Sequence, residues 1–459
     1  MNARASIPAP TAYYSNLARE HTFEQAEVVG RLPEDLRGTL YRNGPGLMEL
    51  FGQRYDHLFE GDGAISAFRF SGGKAYTAAR VVQSAVLQEE RAAGRHLGSF
   101  KASWLERLRR IHGPGLKNTA NTNLMWWQDR LFALMEGAIP TQVDPETLET
   151  LGETDLSGLI RGTFSAHPHY VSSRQTLYNF GLSYGRQTTL DLYALPDAGS
   201  PSLLAQLPLD HGVMLHDFAA TDKHLVFFVA PIQVVVWRML LALGPFQDCF
   251  RWTPSAGTEI IVVPLDTPDQ PIRFHTDPFM QFHFAGAFED RGEIVVDYCR
   301  YEDGQVLWTL GDGLGMRLTD TGDRVPGGRL HRARIDPAKR TFRSEALWDA
   351  DCEFPRLGPI REGRYDTMWL QSQAVVDGEL VFQVTRRTED GTLTHHRLPR
   401  GHLCSEIIPA GPSLLTLVYD CFSERSHLLV LDQDNVEEQA RIQLTQAIPL
   451  TFHGGFIPA

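Results

Sequence analysis

Short apolar runs recur from one end of the chain to the other, and most are bounded by Gly, Asp, Asn or Pro. The alternation of hydrophobic and polar positions predicts strands at residues 65–70, 75–81, 131–135, 176–180, 189–195, 225–229, 259–263 and 293–299. It continues at 329–334, 341–346, 379–385, 414–419, 427–431 and 439–444. Stretches such as FRFSGGKAYTAARV read as hairpins, two strand-like runs around a Gly-rich turn. A helical period is convincing only at 101–112 and 234–243. Many short strands without strand–helix alternation predict a large all-β closed architecture. A propeller suits 459 residues better than a sandwich, whose domains run to about 100 residues. Length alone, at roughly 150 residues per domain, would suggest about three domains. No Ser/Gly-rich linker divides the chain, so residues 1–459 are expected to form one.

Composition refines this picture. Forty Gly and 27 Pro suit a chain with many turns, and 42% hydrophobic with 22% charged residues is ordinary for a globular protein. The net charge of −13 argues against a nucleic-acid partner, which needs a basic stripe. Five cysteines, none in a CxxC pair, give neither a zinc framework nor a disulfide scaffold and point to a reducing compartment. The first fifteen residues hold no apolar secretory core. The greasiest stretch, from Val229 to Phe246, is broken by Pro231, Gln233, Arg238 and Pro245, short of the ~20 apolar residues a membrane span requires. A cytoplasmic protein is expected, one that at most touches a membrane surface.

Three motifs are false leads. Gly311 to Gly315 (GDGLG) has no βαβ setting and reads as a turn rather than a dinucleotide loop. Gly181, Ser183 and Gly185 spell GxSxG, but a strand pattern follows where a nucleophile elbow needs a helix. Asp432 to Asn435 starts like a calcium loop yet lacks its sixth-position Gly and terminal Glu, so it reads as a polar hairpin tip.

Four apolar, Gly- or Pro-containing segments carry histidine: SAHPH at His167 and His169, MLHDF at His216, QFHFA at His283 and TFHGG at His453. The steps from His167 to His216, His283 and His453 are 49, 67 and 170 residues, which excludes a local metal motif. A propeller makes such spacing useful, because its blades converge on one axis. Four neutral imidazoles suit a borderline metal such as Fe(II), Zn or Cu, and each needs an acceptor for its second ring N–H. In His167-Pro-His169 strand geometry turns both rings to one face, so the pattern does not choose between them.

Further segments complete a resemblance. They include Tyr41-Arg-Asn-Gly-Pro-Gly46, His57-Leu-Phe-Glu-Gly-Asp-Gly63, Asn118-Thr-Ala-Asn-Thr-Asn123 and Ala133-Leu-Met-Glu-Gly137. Asp144-Pro-Glu-Thr-Leu148, Cys352-Glu-Phe-Pro355, Ser405-Glu406 and Phe452-His-Gly-Gly-Phe456 follow in order. With the histidine segments, they make the chain resemble the carotenoid cleavage oxygenase family almost end to end. That family takes in carotenoid and apocarotenoid oxygenases, stilbene-cleaving enzymes and a vertebrate retinoid isomerase.

The resemblance implies a seven-bladed β-propeller with a helical and loop cap over the metal axis. It implies one Fe(II) per chain on His167, His216, His283 and His453, with O2 as co-substrate. It assigns Glu136, Glu353 and Glu406 as carboxylates that orient the histidines, and Thr122 as a residue near an open iron position. Phe59, Trp126, Met135 and Phe282 adjoin these motifs and are candidates for the wall of a substrate tunnel. The segment from Ile232 to Leu243 lies where relatives carry an apolar mouth that touches membranes. The expected substrate is an apolar polyene, a carotenoid or apocarotenoid cleaved near its central 15,15′ bond to retinal-type carbonyl products. Met135 stands where stilbene-cleaving relatives carry a Lys, which makes a stilbene the second reading. A non-catalytic propeller that binds an apolar ligand is the third. The Glu406 segment is shorter than usual before 414–419, so a trimmed wall is expected there.

Overall fold

The strand-forming runs assemble into antiparallel sheets that follow one another around a ring. The computed structural model describes residues 7–110, 117–185, 187–241, 244–309, 327–361 and 364–459. The first blade is built from His21–Gly30, Lys74–Val81, Asp62–Ser71, Gly38–Leu47 and, closing it, Gly454–Pro458. The second holds Asn123–Trp127 to Thr150–Glu153, the third His169–Val171 to Ser202–Leu209, and the fourth Ala219–Ala220 to Ile272–Thr276. Met280–Asp290 opens the fifth, which ends in the 17-residue strand Thr341–Leu357. That strand crosses over, its second half pairing with Thr367–Val376 to begin the sixth blade. The seventh runs from His402–Cys404 to Glu438–Gln443. The all-β propeller expected from the strand pattern, with the seven blades that the resemblance implies, is the fold found.

Blade faces are buried on both sides, which explains continuous apolar strands such as His224–Val229 (HLVFFV). An apolar layer fills each gap between successive blades; Phe218, Phe227 and Ile261 fill the gap between the third and fourth. The ring closes where Gly38–Leu47 pairs with Gly454–Pro458, and Glu27 to Gly30 pair with 440–443 of the seventh blade. Gly454 is required there, because a Cβ on it would stand 2.0 Å from the Tyr41 carbonyl oxygen. Gly63 answers the same need, 2.2 Å from the Ala120 carbonyl, and so draws the Asn118 to Asn123 segment against the first blade.

Helix is sparse. The predicted helix at 101–112 appears as Trp104–Arg110, and that at 234–243 as Val236–Leu241; the remaining residues of each lie outside those helices or outside the described residues. A further helix, Ala85–Ala93, is capped by the Ser84 hydroxyl and by Gly94 in the left-handed region. Ser183 ends the strand Thr176–Ser183, and the next strand begins at Thr188, so GxSxG is a hairpin. The Asp432 carboxylate accepts from the backbone of Asp434 and Asn435, making the expected polar hairpin tip. Gly311 to Gly315 lies outside the described residues.

Candidate metal centre

Each blade brings one chemically distinctive side chain from, or beside, one of its strands. Thr122 precedes Asn123–Trp127, His167 precedes His169–Val171, and His216 precedes Ala219–Ala220. His283 lies in Met280–Asp290, Glu353 in Thr341–Leu357, Glu406 between His402–Cys404 and Ile408–Ala410, and His453 just before Gly454–Pro458. Two of these positions are bulged. The register shifts between Gln281 and Phe284 around His283, and between Glu353 and Arg356. Phe354, in the second bulge, has φ of 53°, a strained value for a bulky residue. Such bulges turn a side chain out of the pleat, here toward the axis.

The four expected histidines meet. One ring nitrogen from each of His167, His216, His283 and His453 lies within 4.8 Å of all the others. His216 Nε2 is 3.2 Å from His283 Nε2, which is 3.1 Å from His453 Nε2. His169 is turned away and its Nε2 lies 2.7 Å from Asp217 Oδ1, so the structure chooses His167 for the cluster.

The three expected glutamates stand behind three of these rings. Glu136 Oε1 lies 2.7 Å from His216 Nδ1, Glu353 Oε2 2.7 Å from His283 Nδ1, and Glu406 Oε1 3.3 Å from His453 Nδ1. Glu353 and Glu406 are hydrogen-bonded to Nδ1 of His283 and His453, and Glu136 faces Nδ1 of His216, so the Nε2 atoms of these rings face inward. His167 Nε2 is buried without any hydrogen-bond partner. Burial holds His167 well below the usual histidine range, helped by the surrounding rings, and holds His453 at about 4. Burial also opposes charge on His283, but Glu353 outweighs it and raises that ring. Inward lone pairs with no donor among them repel one another unless a cation takes the centre, and an all-imidazole donor set suits a borderline transition metal. The residues therefore fit the metal that the resemblance implies.

Several site residues escaped the sequence reading. Tyr301 donates its hydroxyl hydrogen to Glu353 Oε1. Arg42 Nη1 donates to Glu406 Oε2 (2.5 Å), while Arg356 Nε and Nη2 donate to Oε1 (3.0 and 2.5 Å). Burial alone would lift the Glu406 carboxyl, but Arg356, His453 and Arg42 hold it well below the carboxylate range. Asp217 accepts from the backbone N–H groups of Phe218 and Phe284 as well as facing His169, and so braces three histidine-bearing segments. Arg42 and Asp217 sat inside the family-like motifs YRNGPG and LHDF, which was the available signal. Glu406 is 2% exposed, and both of its carboxylate oxygens accept hydrogen bonds.

A cavity of about 330 Å³ reaches the cluster at His216 and Glu136. Phe59 and Met135, two of the candidate wall residues, line it, as does Thr122. Val234, Val236 and Met239 from the greasy segment also line it, whereas Ile232 is buried. Two candidates lie elsewhere. Trp126 packs between the first and second blades, and Phe282 sets its ring edge-on to His216 at 5.1 Å within a neighbouring apolar cluster. The Thr122 hydroxyl donates to Asn121 Oδ1 (3.0 Å).

A propeller with four axial imidazoles, three of them backed by carboxylates, beside an apolar cavity defines a class of metal-centred propeller proteins. Residues 14–458 match the retinal pigment epithelial membrane protein family. The chain belongs to this family, the carotenoid oxygenase family indicated by its motifs. The apocarotenoid-15,15′-oxygenase of Synechocystis is 31% identical to it over 96% of this chain and 95% of that protein. The carotenoid isomerooxygenase of Galleria mellonella is 26% identical over 95% and 93%. The cobalt-substituted Synechocystis apocarotenoid oxygenase superposes with a TM-score of 0.85 at 30% identity, covering 98% of this chain and 99% of that one. Among the described residues, no helix is long and apolar enough to cross a membrane.

Proposed function

We propose that this chain, residues 1–459 acting as one domain, is a non-haem Fe(II) dioxygenase that cleaves one C=C bond of a carotenoid or apocarotenoid. The observation that carries this reading is the convergence of four inward-facing imidazoles at one end of an apolar cavity. The favoured bond is the central 15,15′ bond of an apocarotenoid, as in the named activity of the Synechocystis relative. His167, His216, His283 and His453 would hold one Fe(II) per chain, which when bound supplies a redox-active centre for dioxygen and the alkene. Both oxygen atoms enter the two carbonyl products, such as retinal, so the reaction balances without an external reductant.

The protein's own groups do the rest. Glu136, Glu353 and Glu406 face the Nδ1 side of three rings, which orients those rings and makes the inward nitrogens better donors to a metal. Phe59, Met135, Val236 and Met239 offer a polyene apolar contact and exclude water. The exposed Trp104, Leu105, Leu108 and Trp237, on the two helices that touch one another, support peripheral contact with a membrane that holds the substrate. Five unpaired, buried cysteines accord with a cytoplasmic setting.

The test is iron-reconstituted protein incubated under O2 with an apocarotenal and, separately, with a hydroxystilbene. Two aldehydes whose lengths place the break at the 15,15′ bond are expected from the first. Phenolic aldehydes from the second alone would transfer the assignment to stilbenes. No product from either, despite bound iron, would leave a ligand-binding propeller.

A further inference from the structure

One carboxyl on the cavity wall plays no part in the metal centre. Glu60 ends the short turn Leu58–Glu60, where its Oε2 accepts the His57 backbone N–H (3.1 Å). The His57 ring in return accepts the Phe59 backbone N–H (3.1 Å), so the turn is capped from both sides. The second carboxyl oxygen, Glu60 Oε1, is buried and has no hydrogen-bond partner, and the residue is 6% exposed.

The neighbouring polar groups of the wall are already engaged. Lys117 Nζ donates to Asp62 (2.6 Å), Glu90 (2.7 Å) and the Tyr55 hydroxyl (3.2 Å). Ser99 Oγ pairs with His96 Nδ1 (3.1 Å), and Asn121 Nδ2 donates to the Phe59 and Gly61 carbonyls. Among the described wall residues, only Glu60 and Glu136 carry a buried oxygen without a hydrogen bond, and Glu136 faces His216.

We propose that Glu60 determines specificity, its free carboxyl oxygen receiving the terminal oxygen of an oxygenated polyene, a hydroxyl or an aldehyde, while the hydrocarbon body lies along the apolar wall. The inference rests on the cavity being the polyene site. Burial pushes the Glu60 carboxyl up to about 7, and the His57 N–H and Lys101 oppose this. The group thus keeps its proton to near neutrality, where it both donates to a carbonyl oxygen and accepts from a hydroxyl. A site built around such a group discriminates against the analogue that leaves it unpaired.

The experiment uses iron-loaded protein without O2, so that nothing is cleaved. Two probes are compared by quenching of tryptophan fluorescence: an apocarotenal, and the same polyene ending in a methyl group. Wild type should bind the aldehyde about tenfold more tightly, the scale of one well-made hydrogen bond. Glu60→Leu should remove that preference by weakening the aldehyde alone, and Glu60→Gln should retain it. The infrared carbonyl stretch of the bound aldehyde should lie below its value in an alkane, and Glu60→Gln should move it. Equal affinities in wild type, or a preference surviving in Glu60→Leu, would overturn the inference. If Glu60→Leu does not fold, a carbonyl stretch at its alkane value, or one unmoved by Glu60→Gln, overturns it instead. Failure of both probes to bind would remove the cavity reading as well, which separates the two claims. A parallel hydroxyl-ended probe tells a hydroxyl preference from an aldehyde one.

Discussion

His283 and His453 are neighbours at the centre, yet the carboxylates behind them are held in opposite ways. Glu353 takes one neutral donor, the Tyr301 hydroxyl, and the Phe354 backbone N–H, so its charge remains available to His283. Glu406 lies between two guanidiniums, of which Arg42 is 1% exposed. Its charge is shared before His453 sees it. Burial lowers both rings, but Glu353 outweighs it at His283, which is raised, while Glu406 does not outweigh it at His453, which lies at about 4. The same residue pair can therefore serve two purposes. On one side the carboxylate tunes an imidazole, and on the other it ties the ring together.

The largest expected effect tests whether the two rings share a ligand. In His283→Ala, elemental analysis after dialysis should find iron reduced from stoichiometric to trace; unchanged iron would show that the centre does not include this ring. Next, Arg42→Met leaves Glu406 a buried charge with half its support and cuts the donors to Thr451 and Phe452. Thermal unfolding should register a loss of about 3–5 kcal/mol, the usual result of breaking a buried pair. A change below about 1 kcal/mol would mean that Arg42 is not structural.

Glu353→Gln and Glu406→Gln sharpen the contrast. The first should weaken iron roughly 10–100-fold in chelator competition with little change in melting, as loss of a histidine's supporting carboxylate does. The second should act mainly on melting. Equal effects on iron would erase the distinction. The smallest change is expected from Tyr301→Phe, which removes one hydrogen bond worth about 1 kcal/mol. It should shift iron affinity a few-fold while leaving Arg42-dependent stability intact.

The strands were legible because they depend on local pattern, which also marked the four histidine segments, whereas the choice of His167 over His169 came only with the family resemblance. A strand such as Thr188–Pro196 announces itself by its own residues, and each histidine by an apolar or Gly-rich setting. The carboxylates were legible only through family motifs, since nothing near Glu136 or Glu406 marks a buried acid. Arg42 and Glu406 are 364 residues apart, and no local rule connects them. The strand predicted at 341–346 runs to Leu357, because its second half is stabilised by the next blade rather than by its own alternation. Helix Ala85–Ala93 was findable from its Ser and Gly caps, whereas its weak apolar stripe gave little help. Trp126 was misplaced for a simpler reason. Proximity in sequence to Thr122 does not say which face of a strand a side chain occupies.

Ring closure has a consequence for how the protein is made. His453 leads directly into Gly454–Pro458, the strand that zips onto Gly38–Leu47. During synthesis three imidazoles emerge well before the fourth, when the ribbon of blades is still open and has no axis. The fourth arrives with the strand that shuts the circle. A half-made chain therefore holds no complete four-histidine nest, which exists only once the last stitch of the fold is in place.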